Sequence, residues 1–398
     1  MKSSDVEKIY QAGLVSADQK EKILIHFKLH EDGNKFLSIV SLLGALLVVC
    51  GFTLLIAANW ESIPDSVKLC SGIFLMLGLY ALAYFLRDAR QNYPKMGEAC
   101  YVMAAGLFLG NIALIGQIYN LSSRLPNAFF IWAVGISPLA WILRSKALHV
   151  LSLIAWGIWW VCEVFTRDGI LHGSYTSYDE VYLLLFIPLL GLAYLGLSTF
   201  LKSTSYSSFS DSSQKLALLV INFSLYPFAW REFYGWRNAD SSHLIFIILG
   251  ILFLFNLAGV SREKDLDSKG KISFVAMLSL ILAMIVAVLK YGYMLKSHFL
   301  AQDESQFKVV YIIFPSLLFA IAFLQTRIGL LLKSAFMMNF GLVTVGFVML
   351  AVYVSLFKNM TNTGFLFLGA GVFMVVMAIV LEKQRRSMIL KMNQGGLS

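Results

Sequence analysis

The side chains best suited to chemistry in this chain lie at the ends of long apolar stretches. Several of them belong at one predicted depth, and these are Glu61, Gln117, Tyr119, Asn120 and Glu163. The first apolar stretch ends on the same side with Asn59 and Trp60. Polar groups cost free energy inside a membrane, so each warrants a functional interpretation beside a packing one. Amides, a phenol and carboxylates at one depth predict an outward-facing polar pocket that binds a small solute or a lipid headgroup.

The third apolar stretch carries the richest pattern. Gly106 and Gly110 form a G-x-x-x-G pair, and at about 100° per residue Gln117 and Asn120 fall within about 40° of Gly106. Asn111 points about 140° away from Gly106. The pattern predicts a central helix that packs closely along its glycine face and meets a second neighbour at Asn111. Gln117 and Asn120 would then make interhelical hydrogen bonds or belong to the solute site.

The acidic residues on the same predicted side allow two interpretations. Asn59 as a helix C-cap and Asp65 as an N-cap would explain the turn after the first stretch without any ligand. The catalytic interpretation makes Glu61, Asp65 or Glu163 an acid or base that acts on a lipid-linked substrate. Both interpretations stay open at this point.

Several kinds of chemistry have no motif here. The chain contains no P-loop, no H-E-x-x-H and no G-x-S-x-G, so no nucleotide, zinc-protease or serine-hydrolase site is predicted. Its four cysteines form no C-x-x-C pair, and the i, i+4 pair His26 and His30 is typical of a solvated helix face. We therefore expect no catalytic residue of these classes, no metal and no cofactor.

Charge and composition indicate the surroundings of the chain. With 58% hydrophobic and 14% charged residues and a mean hydropathy of +0.73, it lies far outside soluble usage. The net charge of +9 comes from basic residues scattered between apolar runs, a pattern that favours membrane lipids over nucleic acid as the partner.

The elements that must position these residues are membrane-spanning helices. Apolar runs long enough for a hydrocarbon core of about 30 Å predict an all-α, polytopic bundle of about twelve spans. The predicted spans are 36–58, 69–86, 97–118, 127–143, 147–165, 182–200, 216–230, 242–260, 272–289, 309–324, 334–356 and 364–381.

The basic residues orient these spans. Of the 32 Lys and Arg residues, 23 fall on the side of the N-terminus when the loops are taken alternately. By the positive-inside rule both termini are predicted to be cytoplasmic, in a bacterial inner membrane.

The chain divides into three predicted parts. Residues 1–35 form a cytoplasmic helical hairpin, in which Ser16 to Gln19 read as a capping box. This head either anchors the first span or offers a surface for a protein partner or self-association. Residues 36–165 hold spans one to five, and residues 166–398 hold the remaining spans and a basic tail.

A family resemblance covers the first of the membrane regions. The chain reads Gln11-Ala12-Gly13-Leu14-Val15-Ser16 in the head, Ile56-Ala57-Ala58-Asn59-Trp60 at the end of span one and Ala113 to Leu121 at the end of span three. These motifs, with Pro138 to Trp141 and Arg144 to Leu148, resemble the predicted membrane proteins called domain of unknown function 2157. The resemblance extends over about residues 5–150 and is weaker at the last span. It implies a membrane protein and supplies no reaction.

Three functions from different classes fit the sequence. The favoured one is a transporter or channel-like protein, not driven by ATP, for a small or amphiphilic envelope solute. The alternatives are a membrane-embedded enzyme acting on a lipid-linked substrate and a structural or assembly scaffold of the envelope. A polar cavity would favour the transporter, an acid beside a lipid-accessible cleft the enzyme, and a closed bundle the scaffold.

Overall fold

The computed structural model describes residues 60–90, 93–166, 186–229, 243–263, 266–299 and 304–357, with scattered positions between 10 and 22 and between 364 and 386. Within these ranges all regular structure is helical, which confirms the all-α class. Residues 1–71 and 72–398 form two compact units, and each is described by itself. The first predicted span and most of the twelfth lie outside the described residues.

The described ranges contain ten α-helices. They are α1 (Asp65–Tyr84), α2 (Pro94–Ile118), α3 (Leu125–Ile142), α4 (Lys146–Phe165), α5 (Phe186–Lys202), α6 (Ser207–Leu225), α7 (His243–Arg262), α8 (Ser268–Phe299), α9 (Glu304–Leu331) and α10 (Ala335–Phe357). Short 3-10 helices cover Trp60–Ser62 and Tyr226–Ala229, and a π-helix, Phe85–Ala89, continues α1.

These helices make the chain a membrane protein with several apolar helices. In the part of the chain that the structure describes, α1 to α4 and α8 to α10 contain segments long and apolar enough to cross a membrane. Two shorter apolar helices, Phe186–Lys202 and Phe246–Arg262, lie between these groups. The predicted number of twelve spans stays a prediction, because the described ranges leave out span one and most of span twelve.

The sequence placed three helices imperfectly. We predicted a seventh span at 216–230, whereas α6 begins at Ser207, because hydropathy misses a first half rich in serine. That half is helical all the same, since Phe209 and Ser213 are buried on one face. The helices α8 and α9 also extend well beyond their predicted spans, and Arg327 lies within α9 instead of in a loop.

Two hydrophobic cores share helix α4. The first core joins α1 to α4 and is rich in alanine, with Ala83, Ala105 and Ala133 fully buried. The second joins α4 to α10 and is built from larger side chains such as Phe186 and Phe274. Small side chains allow close helix approach in the first core, whereas the larger side chains of the second make more van der Waals contacts per residue.

Two helical hairpins turn in the same way. Arg144 follows α3 with a φ of 48°, and Lys333 follows α9 with a φ of 53°. Each is followed by a serine that caps the next helix: Ser145 Oγ accepts a hydrogen bond from Leu148 N, and Ser334 Oγ accepts one from Met337 N. A left-handed residue and a serine N-cap thus reverse the chain within a few residues.

Contacts between helix ends bring these turns to one end of the bundle. Arg87 donates to the carbonyl of Arg144 at 3.1 Å, and the Arg144 guanidinium lies 5.8 Å from the centre of the Tyr206 ring. Lys202 pairs with Glu263 at 2.9 Å. We call this end, defined by Arg87, Arg144, Lys202, Glu263 and Lys333, the basic end.

The head retains one predicted feature within the described positions. Ser16 N donates to Gln19 Oε1 at 2.9 Å, and Gln19 N donates to Ser16 Oγ at 3.3 Å. This reciprocal pair confirms the predicted capping box. The rest of the predicted hairpin lies outside the described residues.

Candidate functional site

The predicted residues around the first turn lie in the unit of residues 1–71. Asn59 is outside the described residues, and Trp60 and Glu61 form part of a 3-10 helix. Lys68 Nζ lies 4.9 Å from the centre of the Trp60 ring. Asp65 is the first residue of α1, so the predicted N-cap is wrong by one position, because the carbonyl of Pro64 already accepts the first helical hydrogen bonds.

Of the two faces of α2 that the sequence predicted to be packed, the structure covers the one that carries Asn111. On the other face Gly106, Gly110 and Gln117 are exposed, and a Cβ added to either glycine would meet no described residue within 4 Å. The buried face instead carries Asn111, whose Nδ2 donates to the carbonyl of Gly72 at 3.2 Å. The glycine pattern permits close approach without specifying it, and the amide of Asn111, which would be costly to leave unpaired, meets α1.

Tyr119 and Asn120 end α2 at the surface. Tyr119 is 63% exposed. Asn120 has a φ of 47°, and the amide of the following Leu121 donates to the carbonyl of Gly116 at 3.0 Å. This is the geometry of a left-handed helix cap. The backbone conformation of Asn120 accounts for its residue type, and its predicted interhelical role stays a prediction.

This cap yields a stability prediction. Asn120→Gly should keep or slightly raise the thermal midpoint, because glycine adopts a positive φ without steric cost. Asn120→Val should cost about 1–2 kcal/mol, the penalty for a side chain that disfavours this conformation. Thermal unfolding of the purified variants in detergent measures both. Equal midpoints for the two variants would contradict the capping role.

Glu163 belongs to a buried ion pair. Its Oε1 lies 3.0 Å from Nη2 of Arg124, which also donates to Asn127 Oδ1 at 3.3 Å. The side chain of Glu163 is 3% exposed. The pair joins the beginning of α3 to the end of α4. Within the described residues Glu163 is thus buried whereas Gln117, Tyr119 and Asn120 are exposed, and the outward-facing pocket predicted for them stays a prediction.

A polar cleft lies elsewhere, at the basic end between α5, α6, α7 and the turn from α9 to α10. Its volume is about 380 Å³. Most of the residues that line it carry hydroxyl, amide or charged side chains, and these are Ser198, Thr199, Lys202, Ser207, Ser210, Asp211, Gln214, Glu263, Lys333 and Ser334. Val260, Leu266 and Phe274 add an apolar part of the wall.

Internal contacts hold this lining in place. Ser198 Oγ donates to the carbonyl of Ser210 at 2.9 Å, and Ser210 Oγ can donate in return to the carbonyl of Ser198 at 2.9 Å. These bonds tie the ends of α5 and α6. Lys202 pairs with Glu263 across to α7, and Lys215 pairs with Asp211 along α6. The walls of the cleft are therefore cross-linked by polar contacts.

Polar side chains continue from the cleft into the bundle. Gln214 Nε2 lies 3.8 Å from the sulfur of Met337, whose carbonyl accepts from Gln325 Nε2 at 3.4 Å. Gln325 Oε1 in turn accepts from Asn222 Nδ2 at 3.0 Å, and both amides are buried. This chain of contacts joins α6, α9 and α10 below the cleft.

Sequence reasoning missed the cleft, although one signal was available. Residues 203–213 contain a dense run of serines with Thr204 and Asp211. The alternation of apolar stretches assigned most of this run to a loop. Its helical spacing places Ser207, Ser210 and Gln214 on one face, which is the face that lines the cleft.

A second polar cluster at the basic end stabilises the joint between α1, α2 and α4. Arg87 Nε lies 3.1 Å from Glu98 Oε1, and Ser145 Oγ donates to the same carboxylate. Tyr101 donates to Asp88 at 2.9 Å. Arg87 and Asp88 lie on the π-helix, so this cluster fixes an irregular helix end. Among the described residues no group of His, Cys, Asp and Glu could hold a metal ion.

A similarity to known proteins is found in the first part of the chain. No curated protein matches the chain, and no solved structure matches its fold. One family model does match, over residues 7–149, and this confirms the resemblance seen in the sequence. The polar cleft lies beyond the matched segment. Residues 7–149 are similar to the family described as Predicted membrane protein (DUF2157).

Proposed function

We propose that this chain is a transporter, not driven by ATP, that moves a small polar solute across a bacterial inner membrane. The observation that carries the proposal is the polar cleft of about 380 Å³ in a bundle of apolar helices. Ligand sites are commonly concave and hold a few convergent polar groups. Hydroxyls and amides of this lining suit a solute that must exchange its hydrogen bonds with water for bonds with protein.

The cleft is proposed to open toward the cytoplasm. It lies at the basic end, where Lys and Arg residues concentrate, and such residues mark cytoplasmic loops. Both termini are then cytoplasmic, and residues 1–35 can meet a protein partner or a second copy there. The site first predicted faced outward, so this proposal moves the binding site to the other membrane face.

The buried amides below the cleft support transport over simple binding. A solute that leaves the cleft for the membrane interior needs polar partners, since unpaired polar groups are costly there. Gln214, Gln325 and Asn222 supply donors and acceptors on α6 and α9, and Met337 of α10 contacts the first two.

The competing functions have less support. An enzyme would need a carboxyl group available for proton transfer, yet Asp211 pairs with Lys215 and Glu263 with Lys202. A scaffold protein requires only a closed bundle of helices, and a polar cleft would not contribute to that role. The transporter proposal therefore accounts for both the polar cleft and the buried amides below it.

The test uses a variant with the four native cysteines replaced and Gln214→Cys added. In proteoliposomes under an osmotic gradient, stopped-flow light scattering measures the entry of glycerol, glycine or potassium phosphate. We expect at least one probe to enter faster than into protein-free liposomes. Modification of Gln214→Cys with a bulky thiol reagent should abolish that difference, because it fills the cleft.

Ser203→Cys in the same background is the matched control, since Ser203 is exposed at the same end and does not line the cleft. Its modification should leave the entry rate unchanged. The proposal is overturned if no probe enters faster than into empty liposomes, or if blocking Gln214→Cys has no more effect than blocking Ser203→Cys.

A further inference from the structure

His149 is a buried histidine between α4 and α6. Its side chain is 1% exposed, in the first turns of α4. The Phe209 ring stacks on it at 4.4 Å between ring centres with an interplanar angle of 8°. The Trp141 ring meets it edge-on at 6.3 Å. The imidazole is thus enclosed by aromatic rings from α3 and α6.

One ring nitrogen of His149 is hydrogen-bonded and the other is not. Ser213 Oγ lies 2.8 Å from His149 Nε2 and 3.1 Å from the carbonyl of Phe209. When the hydroxyl proton of Ser213 bonds that carbonyl, Nε2 carries the ring proton and donates it to Ser213 Oγ. In this tautomer His149 Nδ1 presents a lone pair, and among the described residues it is buried without a hydrogen-bond partner.

Helix α6 connects this histidine to the cleft. Phe209 and Ser213 contact His149, whereas their neighbours Ser210 and Gln214 line the cleft. The first half of α6 therefore lies between the imidazole and the proposed binding site. A displacement of this segment away from α4 would narrow the cleft.

The charged groups around His149 leave its Nδ1 without a counter-ion among the described residues. On α3, Arg144 lies over the Tyr206 ring, and on α2, Glu98 bonds Ser145 and Arg87. On α6 the charged groups are Asp211 and Lys215, which pair with each other. A second ring proton would thus create a buried cation with no acceptor, close to the positive end of α4.

We propose that His149 is a proton-binding site whose occupancy is coupled to the position of α6 and hence to the cleft. A proton taken from water binds Nδ1 when α4 and α6 separate enough to hydrate it. Proton binding and separation then favour one another, because a ligand shifts an equilibrium toward the state that binds it better. This inference rests on the proposed function in one respect, since it makes the proton the coupling ion of transport.

The experiment follows Gln214→Cys in the full chain, in the cysteine-free background, with an impermeant thiol reagent. Its modification rate is divided by that of Ser203→Cys, which removes the effect of pH on thiol reactivity itself. Between about pH 8 and about pH 4, a range that covers the titration of histidine both in water and after burial, the ratio should fall about fivefold or more. In a His149→Gln variant it should stay constant, because glutamine keeps an N–H donor and does not titrate.

A second pair of variants keeps the test independent of His149→Gln. Ser213→Asp places a carboxylate beside Nε2 and should move the midpoint to higher pH, whereas the neutral Ser213→Asn should not. A ratio independent of pH, or a pH dependence that survives in His149→Gln, overturns the inference. These results leave the solute-entry assay untouched, so a failure here is separate from a failure of the proposed transport.

Discussion

Replacing Arg124 with methionine is expected to destabilise the protein by about 3 kcal/mol or more. The change leaves the carboxylate of Glu163, which is 3% exposed, without the guanidinium 3.0 Å away. Breaking a buried pair by removing one partner costs about 3–5 kcal/mol, and the partial exposure of Arg124 places this case at the lower end. Denaturant titration of the purified protein in detergent measures the loss.

The double variant Arg124→Met with Glu163→Met is the control for this prediction. It removes both charges, so it should recover much of the lost stability. If the double variant loses as much stability as Arg124→Met and Glu163→Met lose together when each is measured singly, a direct charge pairing between α3 and α4 is contradicted.

Gly329→Ala should separate α9 from α10 and cost about 1–3 kcal/mol. A Cβ at this position would lie 2.5 Å from the backbone nitrogen of Met338 and 2.9 Å from its Cα. Backbone atoms cannot swing aside as a side chain can, so the hairpin itself must shift. Because the turn at Lys333 lines the cleft, solute entry should fall together with the thermal midpoint.

Gly110→Ala provides the matched comparison. A Cβ there meets no described residue within 4 Å, and alanine favours a helix over glycine by about 1 kcal/mol. We expect a midpoint equal to or above that of the wild type. A large loss at Gly110 together with tolerance at Gly329 would reverse the assignment of packing faces.

The sequence predicted the membrane helices of the first core closely. The predicted spans 97–118, 127–143 and 147–165 agree with α2, α3 and α4 within three residues at both ends. Each of these apolar runs is preceded by a helix start. Pro94 begins α2, a turn precedes Leu125 at the beginning of α3, and Ser145 caps α4. Hydropathy and helix-start signals therefore agree at these boundaries.

Hydropathy failed where the polar side chains of one helix bond to neighbouring helices. Ser207 to Gln214 resemble a loop by composition, although neighbouring helices supply partners for Ser210 and Gln214. These partners come from α5 and α10, and the local sequence of α6 does not specify them. Helical spacing of the serine run could have predicted the polar face of α6, but not the helices that cover it.

The candidate site residues show the same division. Gln117 and Asn111 are both amides of one helix, six residues apart, yet one is exposed and the other bonds Gly72. Periodicity correctly placed them on different faces. Which face of α2 is covered depends on the neighbouring helices, and a glycine pair does not specify which helix packs against it.

The serine-rich start of α6 has a consequence for how the chain enters the membrane. Its helix is not among those of the described ranges that are long and apolar enough to span by themselves. Asp211, Lys215 and the surrounding hydroxyls make its insertion as a single segment unfavourable. It is joined to the apolar α5 by the short turn 203–206, and the reciprocal bonds of Ser198 and Ser210 lie beside that turn. During synthesis, α6 therefore depends on α5 to carry it across the bilayer as half of a hairpin.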